Sequence, residues 1–299
     1  MEPIFRRQAL RDGTSDEQLQ AAVAKGERVR LRNGAYALAC EFGELFAEDK
    51  HRIMVVASIP RLHKDSVVSH VSAAVLHGLP LWRTDIGRVY VTRPGSTTCE
   101  TTRVKFIGQP LSSEEIVSID GIRVTSLNRT LLDVVRTLPF EQAVVVGDAA
   151  LRRGAQLPTN LDRRRGNEQA RRTLEFLDGR SESVGESRSR VLIDRKSITK
   201  PLVQVTILDH SGGFIGRVDL CWPEYGLVGE FDGDDKYRSS DAPNVVGLEK
   251  AREGRLRDAG WNVVRWGWKD LDEPADMIRR LGKNLTSRVD APSPWFQRL

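Results

Sequence analysis

"RVDLCWPEYGLVGEFDGDDKY", residues 217–237, decides how this chain is read. Two short apolar runs flank a Pro-Glu-Tyr-Gly turn. The first run contains Asp219, and the second ends in Glu230, Asp232, Asp234 and Asp235. With Pro223–Gly226 as a four-residue turn, Trp222 pairs with Leu227, which sets Asp219 opposite Glu230 and Arg217 opposite Asp232. A strand period of two then gathers Asp219, Glu230 and Asp232 on one face. Val218, Leu220, Val228, Gly229 and Phe231 are left for the side facing the core. Opposed carboxylates repel unless something positive sits between them. A hard divalent cation, Mg²⁺ or Mn²⁺, takes oxygen ligands and leaves room for water and a phosphate. On this expectation, removing one carboxylate leaves metal-free stability level or higher. The competing account is a surface face neutralised by Arg217, Lys236 and solvent.

The surrounding pattern predicts a domain over 179–299. Ser181 caps a helix containing "ESVGESRSRVLI", two strands follow ("LVQVTILD" and "GFIGRVDLCW"), then the turn and "GLVGEF". A helix, "NVVGLEKAREGRLRDAG", closes at Gly260, the strand "WNVVRW" comes next, and a last helix covers about 273–286.

Towards the N-terminus, residues 155–178 are arginine-rich and predict a linker with a surface helix. Residues 45–154 predict a mixed α/β domain. Asp65 or Ser66 opens a helix ending at Gly78, strands lie around "RVYVTRP", "TRVKFIG" and "GIRVTS", and Ser126 and Pro139 start two further helices. His70 and His77 lack the spacing of paired metal ligands and are expected to pack or hydrogen-bond.

Residues 1–40 predict a winged helix-turn-helix. A helix over Ile4–Leu10 is followed by one capped at Thr14 or Ser15 and ending near Lys25, and then by a hairpin turning at Asn33-Gly34. In that hairpin Arg28, Arg30 and Arg32 alternate with Val29 and Leu31, so the three arginines are expected on one face. With Lys25 they are candidate contacts to the backbone of double-stranded DNA, and a merely solvated face is the alternative.

At 299 residues the chain exceeds what one core usually holds. Hydrophobic content of 39% with 29% charge is that of a globular chain rather than a disordered one. The fold class expected is therefore multidomain α/β. No apolar run reaches the ~20 residues of a membrane span, and Met1–Arg7 lacks a signal-peptide core. Cys40, Cys99 and Cys221 are odd in number and far apart, which fits a reducing cytoplasm rather than a disulfide or zinc framework. A net charge of +5 fits an anionic partner, with the nucleoid as the expected location.

The order of helix with Glu, strand with Asp, turn, strand with Glu-x-Asp-Gly, helix and strand resembles the PD-(D/E)XK nuclease fold. It is most similar to the branch near the very-short-patch repair endonucleases. That resemblance implies a restriction-endonuclease-like sheet flanked by helices and a metal-dependent endonuclease. Asp219 matches the strand aspartate, Glu230 and Asp232 the Glu-x-Asp pair, and Glu186 the helix glutamate, with Glu182 a weaker match one turn earlier. It implies Glu186, Asp219 and Glu230 as metal ligands, and Asp219, Glu230, Asp232 and Lys236 as catalytic residues. Two departures stand out. Asp232 replaces the usual lysine, and Lys236 takes the place of a histidine.

The front of the chain, "RRQALRDGTSDEQLQAAVAKGERVRLRNGAYAL" with "SHVSAAVLHGLPLW" and "TSLNRTLLDVVR", resembles AbiEi-type antitoxins of abortive-infection toxin–antitoxin systems. This implies a DNA-binding head, autorepression and a cognate toxin as partner.

Overall fold

The computed structural model describes residues 1–158, 160–161, 166–233, 242–286, 288 and 296–298. It is mixed α/β, with three β-sheets and twelve α-helices among the described residues. None of those helices is long and apolar enough to cross a membrane. The chain divides into two compact units. Met1–Ala150 and Gly154–Glu175 form the first, and Leu151–Arg153 and Phe176–Leu299 the second. The expected segments 1–40 and 45–154 thus fall almost wholly in the first unit, and 179–299 in the second.

The first unit opens with the strand Ile4–Phe5 and the helix Arg6–Arg11, so the helix expected from Ile4 starts two residues later. Ser15 caps the helix Asp16–Ala24 with a full capping box, its hydroxyl accepting from the Gln18 amide. The hairpin strands Arg28–Arg32 and Ala35–Leu38 join Ile4–Phe5 in a three-stranded sheet. Ala9 and Leu19 pack on Tyr36, while Leu31, Ala35 and Ala37 pack on Ile53 and Ala57 of the helix Ala47–Ser58. The same helix sends Val55 into the core of the second sheet.

That sheet has six strands, in the order Cys99–Glu100, Val104–Ile107, Val89–Thr92, Val67–Val68, Ile122–Thr125, Ile116–Ile119. The expected helix from Asp65 is corrected here. Val67 and Val68 form a strand, and the helix runs over His70–Leu76. The β-branched pair suits a buried ladder better than a helix start. Ser126 caps Leu127–Thr137 as expected, its hydroxyl accepting from the Arg129 amide. Buried Arg129 is held by Asp133 at 2.9 Å, Glu115 at 3.0 Å and the Gln109 side chain at 2.9 Å. His70 lies 3.6 Å from Asp133, and His77 reaches the Thr125 carbonyl at 2.8 Å.

In the second unit the helix Val184–Arg195 is capped by Ser183, two residues later than expected. The five-stranded sheet has the order Asn262–Trp266, Leu227–Phe231, Phe214–Trp222, Leu202–Leu208, Phe296–Arg298. It is antiparallel except between Leu227–Phe231 and Asn262–Trp266, which the helix Ala242–Asp258 connects. The last helix, expected over about 273–286, is Ala275–Asn284 with Pro274 as its N-cap, and a separate short helix, Trp268–Asp272, precedes it.

Both faces of this sheet are buried, which corrects the expectation of one polar face. Val203, Leu220, Trp222, Leu227 and Phe231 form a core with Ile193, Met277 and Leu281. Val205, Ile207, Val218, Cys221 and Val228 form another with Leu256, Ala259 and Trp261. Two glycines permit the close packing. A side chain on Gly185 would collide with the Phe231 ring, and one on Gly229 with the rings of Trp266 and Trp222.

Candidate functional site

Trp222 pairs with Leu227, Cys221 with Val228 and Leu220 with Gly229, the register expected from the turn. Gly226, at φ +55°, supplies the left-handed residue that closes the Pro223–Tyr225 turn. The ladder stops at Leu220. Instead of simply facing Glu230, Asp219 turns its carboxylate to the backbone and accepts from the Phe231 amide at 2.8 Å. Arg217 does not meet Asp232. It makes a paired contact with Glu182, 2.7 Å to each oxygen.

On the other side of Asp219 lies Gln204, which the sequence did not single out. Gln204 is buried, sits inside a strand and has φ +52°, a left-handed conformation uncommon for a residue with a side chain. Strand pairing keeps the same count on either side, Val203 with Leu220 and Val205 with Val218. Yet the first pair lies in one core and the second in the other. Both strands therefore swap faces together at the Gln204–Asp219 level.

The swap aims the Gln204 amide at two carboxylates. Its Nε2 donates to Asp219 Oδ1 at 3.1 Å and to Glu186 Oε2 at 2.9 Å. Glu186, buried in the first turn of its helix, also accepts from the Ser183 hydroxyl at 2.8 Å and the Glu182 amide at 2.9 Å. A helix N-terminus favours a carboxylate there. Three elements thus bring two acids and one amide to a common point.

Glu230 does not join them. It is 4% exposed and ion-paired with two guanidinium groups: Arg252 from the helix Ala242–Asp258, which hydrogen-bonds it, and Arg265 from the next strand, whose Nη2 lies 2.7 Å away without hydrogen-bond alignment. Arg265 also lies 3.3 Å from Glu253, 3.5 Å from Asp232 and 3.8 Å from Glu249. Burial lowers its pKa, but Glu230, Asp232, Glu253 and Glu249 outweigh that and hold it above the ordinary value. The positive charge expected between the carboxylate strands is present at Glu230 as arginine.

Oxygen donors are what Mg²⁺ or Mn²⁺ takes, so Glu186 and Asp219 fit such an ion. Glu230, neutralised from two sides, does not. No group of three acidic, histidine or cysteine side chains that could hold a metal occurs among the described residues. Asp232 sits at the end of the strand, its amide on the Trp266 carbonyl at 2.9 Å and its carboxylate towards Arg265. Lys236, with Asp234 and Asp235, lies outside the described residues.

In the first unit the candidate DNA contacts separate. A bulge lies between Arg30 and Arg32, and Val29 is 36% exposed while Leu31 is buried, so strict alternation fails. Arg32 turns inward, donating to the Ser58 carbonyl at 2.9 Å and the Ala57 carbonyl at 3.3 Å. Arg30 bonds Asn33 beside the turn, and Arg28 is half-buried. Lys25 caps the C-terminus of the helix Asp16–Ala24 in an exposed position.

No protein-family model matches this chain. Two uncharacterized Mycobacterium tuberculosis proteins, MT2308 of strain CDC 1551 / Oshkosh and Rv2248 of strain H37Rv, are each 26% identical to it over 278 residues. The matches cover 90% of this chain and 96% of each relative. Among solved structures, the RV2827C protein from Mycobacterium tuberculosis is similar at a TM-score of 0.38 and 13% identity, over 66% of this chain and 73% of that one.

Proposed function

We propose that this is a DNA-binding protein whose second unit hydrolyses phosphodiester bonds. One observation carries the reading: Glu186, Gln204 and Asp219 converge from a helix and two strands, with Gln204 held in a left-handed conformation. Backbone strain of about 1–3 kcal/mol persists where the surroundings over-determine it, and functional sites are where it collects. Glu186 and Asp219 would hold Mg²⁺ or Mn²⁺, which supplies Lewis acidity and an activated water when bound.

The remaining roles belong to the chain. Gln204 orients both carboxylates through one amide. The Phe231 amide fixes the second oxygen of Asp219. Glu230 with Arg252 and Arg265 is a positioning group that ties this strand to its neighbours. In this reading the second unit is restriction-endonuclease-like, and the front of the first is a winged helix-turn-helix acting on duplex DNA in the cytoplasm.

The test is nicking of supercoiled plasmid with Mg²⁺, with Mn²⁺ and with a chelator. Cleavage by the parent that needs the metal and disappears in Asp219→Asn supports the reading. A parent that never cleaves, or an Asp219→Asn variant that cleaves as well, ends it.

The neutralisation of Glu230 by two arginines favours a second reading, since it leaves two acids rather than three for a cation. Here the chain is an AbiEi-like antitoxin or transcriptional repressor with a cognate toxin, and the nuclease-like unit makes contacts without chemistry. Mg²⁺-dependent thermal stabilisation separates the two, because a ligand that binds only the folded state raises its melting temperature.

A further inference from the structure

Beyond the carboxylate centre, the first unit carries a cleft of about 620 Å³ lined by Arg30, Arg32, Asn33, Arg61, Thr101 and Arg103, among others. A second cleft of about 410 Å³ shares Arg32, Asn33 and Arg61 with it and adds Arg7 and Arg6, the latter paired with Asp16 at 2.7 Å. No carboxylate among the described residues lines either cleft. Among the described residues neither Arg61 nor Arg103 has an acidic partner.

Like charges gathered this closely are unfavourable without a counter-charge. Arg32 registers the strain. Burial, then Arg61 and Arg103, hold its guanidinium below the ordinary value. Its position is nevertheless fixed by the two carbonyls ending the helix Ala47–Ser58, so it is preset rather than free to swing away.

We propose that this arginine-lined cleft holds the sugar–phosphate backbone of duplex DNA, with Arg32 as its anchor and Arg61 and Arg103 as the facing cations. The inference rests on the DNA-binding part of the proposed function and places the contact away from the helix Asp16–Ala24, none of whose residues lines the cleft.

The ligand class follows from the lining. Guanidinium groups match phosphate oxygens in paired geometry. Among the described residues no aromatic side chain lines the larger cleft, whereas single-strand sites supply aromatic faces for stacking bases. A backbone site of this kind sets register and affinity and carries no base identity.

The experiment is fluorescence anisotropy titration of the full chain with a labelled duplex across a salt series. Arg61→Gln with Arg103→Gln is compared with the parent and with the charge-preserving Arg61→Lys, Arg103→Lys variant. Both arginines are exposed, so the fold tolerates either change. Each lost phosphate contact removes about 0.9 from the slope of log affinity against log salt. The glutamine variant is expected to flatten that slope by about 2 units on unrelated sequences alike, and the lysine variant to keep it.

A parent that binds duplex while the glutamine variant keeps its full slope overturns the cleft and leaves the DNA reading standing. A parent that binds no duplex overturns both. Displacement of duplex by a nucleoside triphosphate at equal phosphate concentration overturns the backbone assignment in favour of a small-molecule site. Equal binding of either single strand overturns the preference for duplex.

Discussion

Glu230 and Arg265 stand opposite each other on neighbouring parallel strands, with the Arg265 Nη2 2.7 Å from the Glu230 carboxylate. The pair reverses the sign of an effect expected from sequence alone. If Glu230 faced other acids, its removal would relieve repulsion. Glu230 is paired with Arg252 and Arg265 beneath a covering helix, and Asp232, Glu249 and Glu253 share Arg265 with it.

Glu230→Gln should therefore destabilise the metal-free protein by about 2–3 kcal/mol, below the ~3–5 kcal/mol for breaking a wholly buried pair because both arginines keep some solvent contact. Urea unfolding in a chelator measures it. A variant as stable as the parent, or more so, would show that the arginines do not depend on this carboxylate.

Gln204→Glu replaces a donor shared by two carboxylates with a third acid. Metal-free stability should drop by about 2 kcal/mol through the lost hydrogen bonds and the new repulsion. Mg²⁺ should then return part of that loss in a thermal melt. No loss in chelator would contradict the convergence at Gln204, and no return with Mg²⁺ would count against a cation there.

Gly229→Ala forces a methyl group into the rings of Trp266 and Trp222. Overpacking of a filled core costs about 1–3 kcal/mol, and two buried tryptophans place this site at the upper end. Gly247→Ala is the control: it lies in a helix with open space around it and should be neutral or stabilising by up to ~1 kcal/mol. Equal behaviour of the two variants would contradict the packing.

Stability should decline as pH falls through the histidine range. Burial lowers the pKa of His70, with Asp133 opposing, and burial likewise lowers that of His51. The unfolded chain then takes up protons near the ordinary ~6.5 while the folded chain resists. Their contribution is complete above about pH 6.5 and erodes below it, by up to ~1.4 kcal/mol per pH unit for each histidine. Urea midpoints at about pH 7.5 and about pH 5.5 read the slope, and His70→Gln should flatten it. A parent with no slope would sink the assignment.

Local rules were legible at several places where one residue decides a local shape, though the caps expected at Ser181 and at Asp65 or Ser66 failed. Ser15 and Ser126 cap their helices, Gly226 closes its turn, and the Trp222–Leu227 register follows from counting across it. What stayed hidden depends on distant partners. Arg252 and Arg265 stand 22 and 35 positions after Glu230, and nothing in a helical or strand period says which carboxylate they will face. Gln204 reads as an ordinary strand residue because a left-handed backbone leaves no mark in composition. The bulge at Arg30 and Arg32 broke the hairpin's alternation for the same reason.

The joint change of face at Gln204 and Asp219 has a consequence for chain length. Val203 and Val205 already lie on opposite sides of the sheet, as adjacent strand residues do. A chain one residue shorter, lacking Gln204, would keep every other side chain of that strand on its present side. Asp219 would be left as an ordinary one-residue bulge against a regular partner. The fold could shed Gln204 without reshuffling either core, whereas Glu186 and Asp219 would lose the group that joins them. Among natural length variants of this sheet, a gap at this position should therefore travel with changes at those two acids, and a retained glutamine with both.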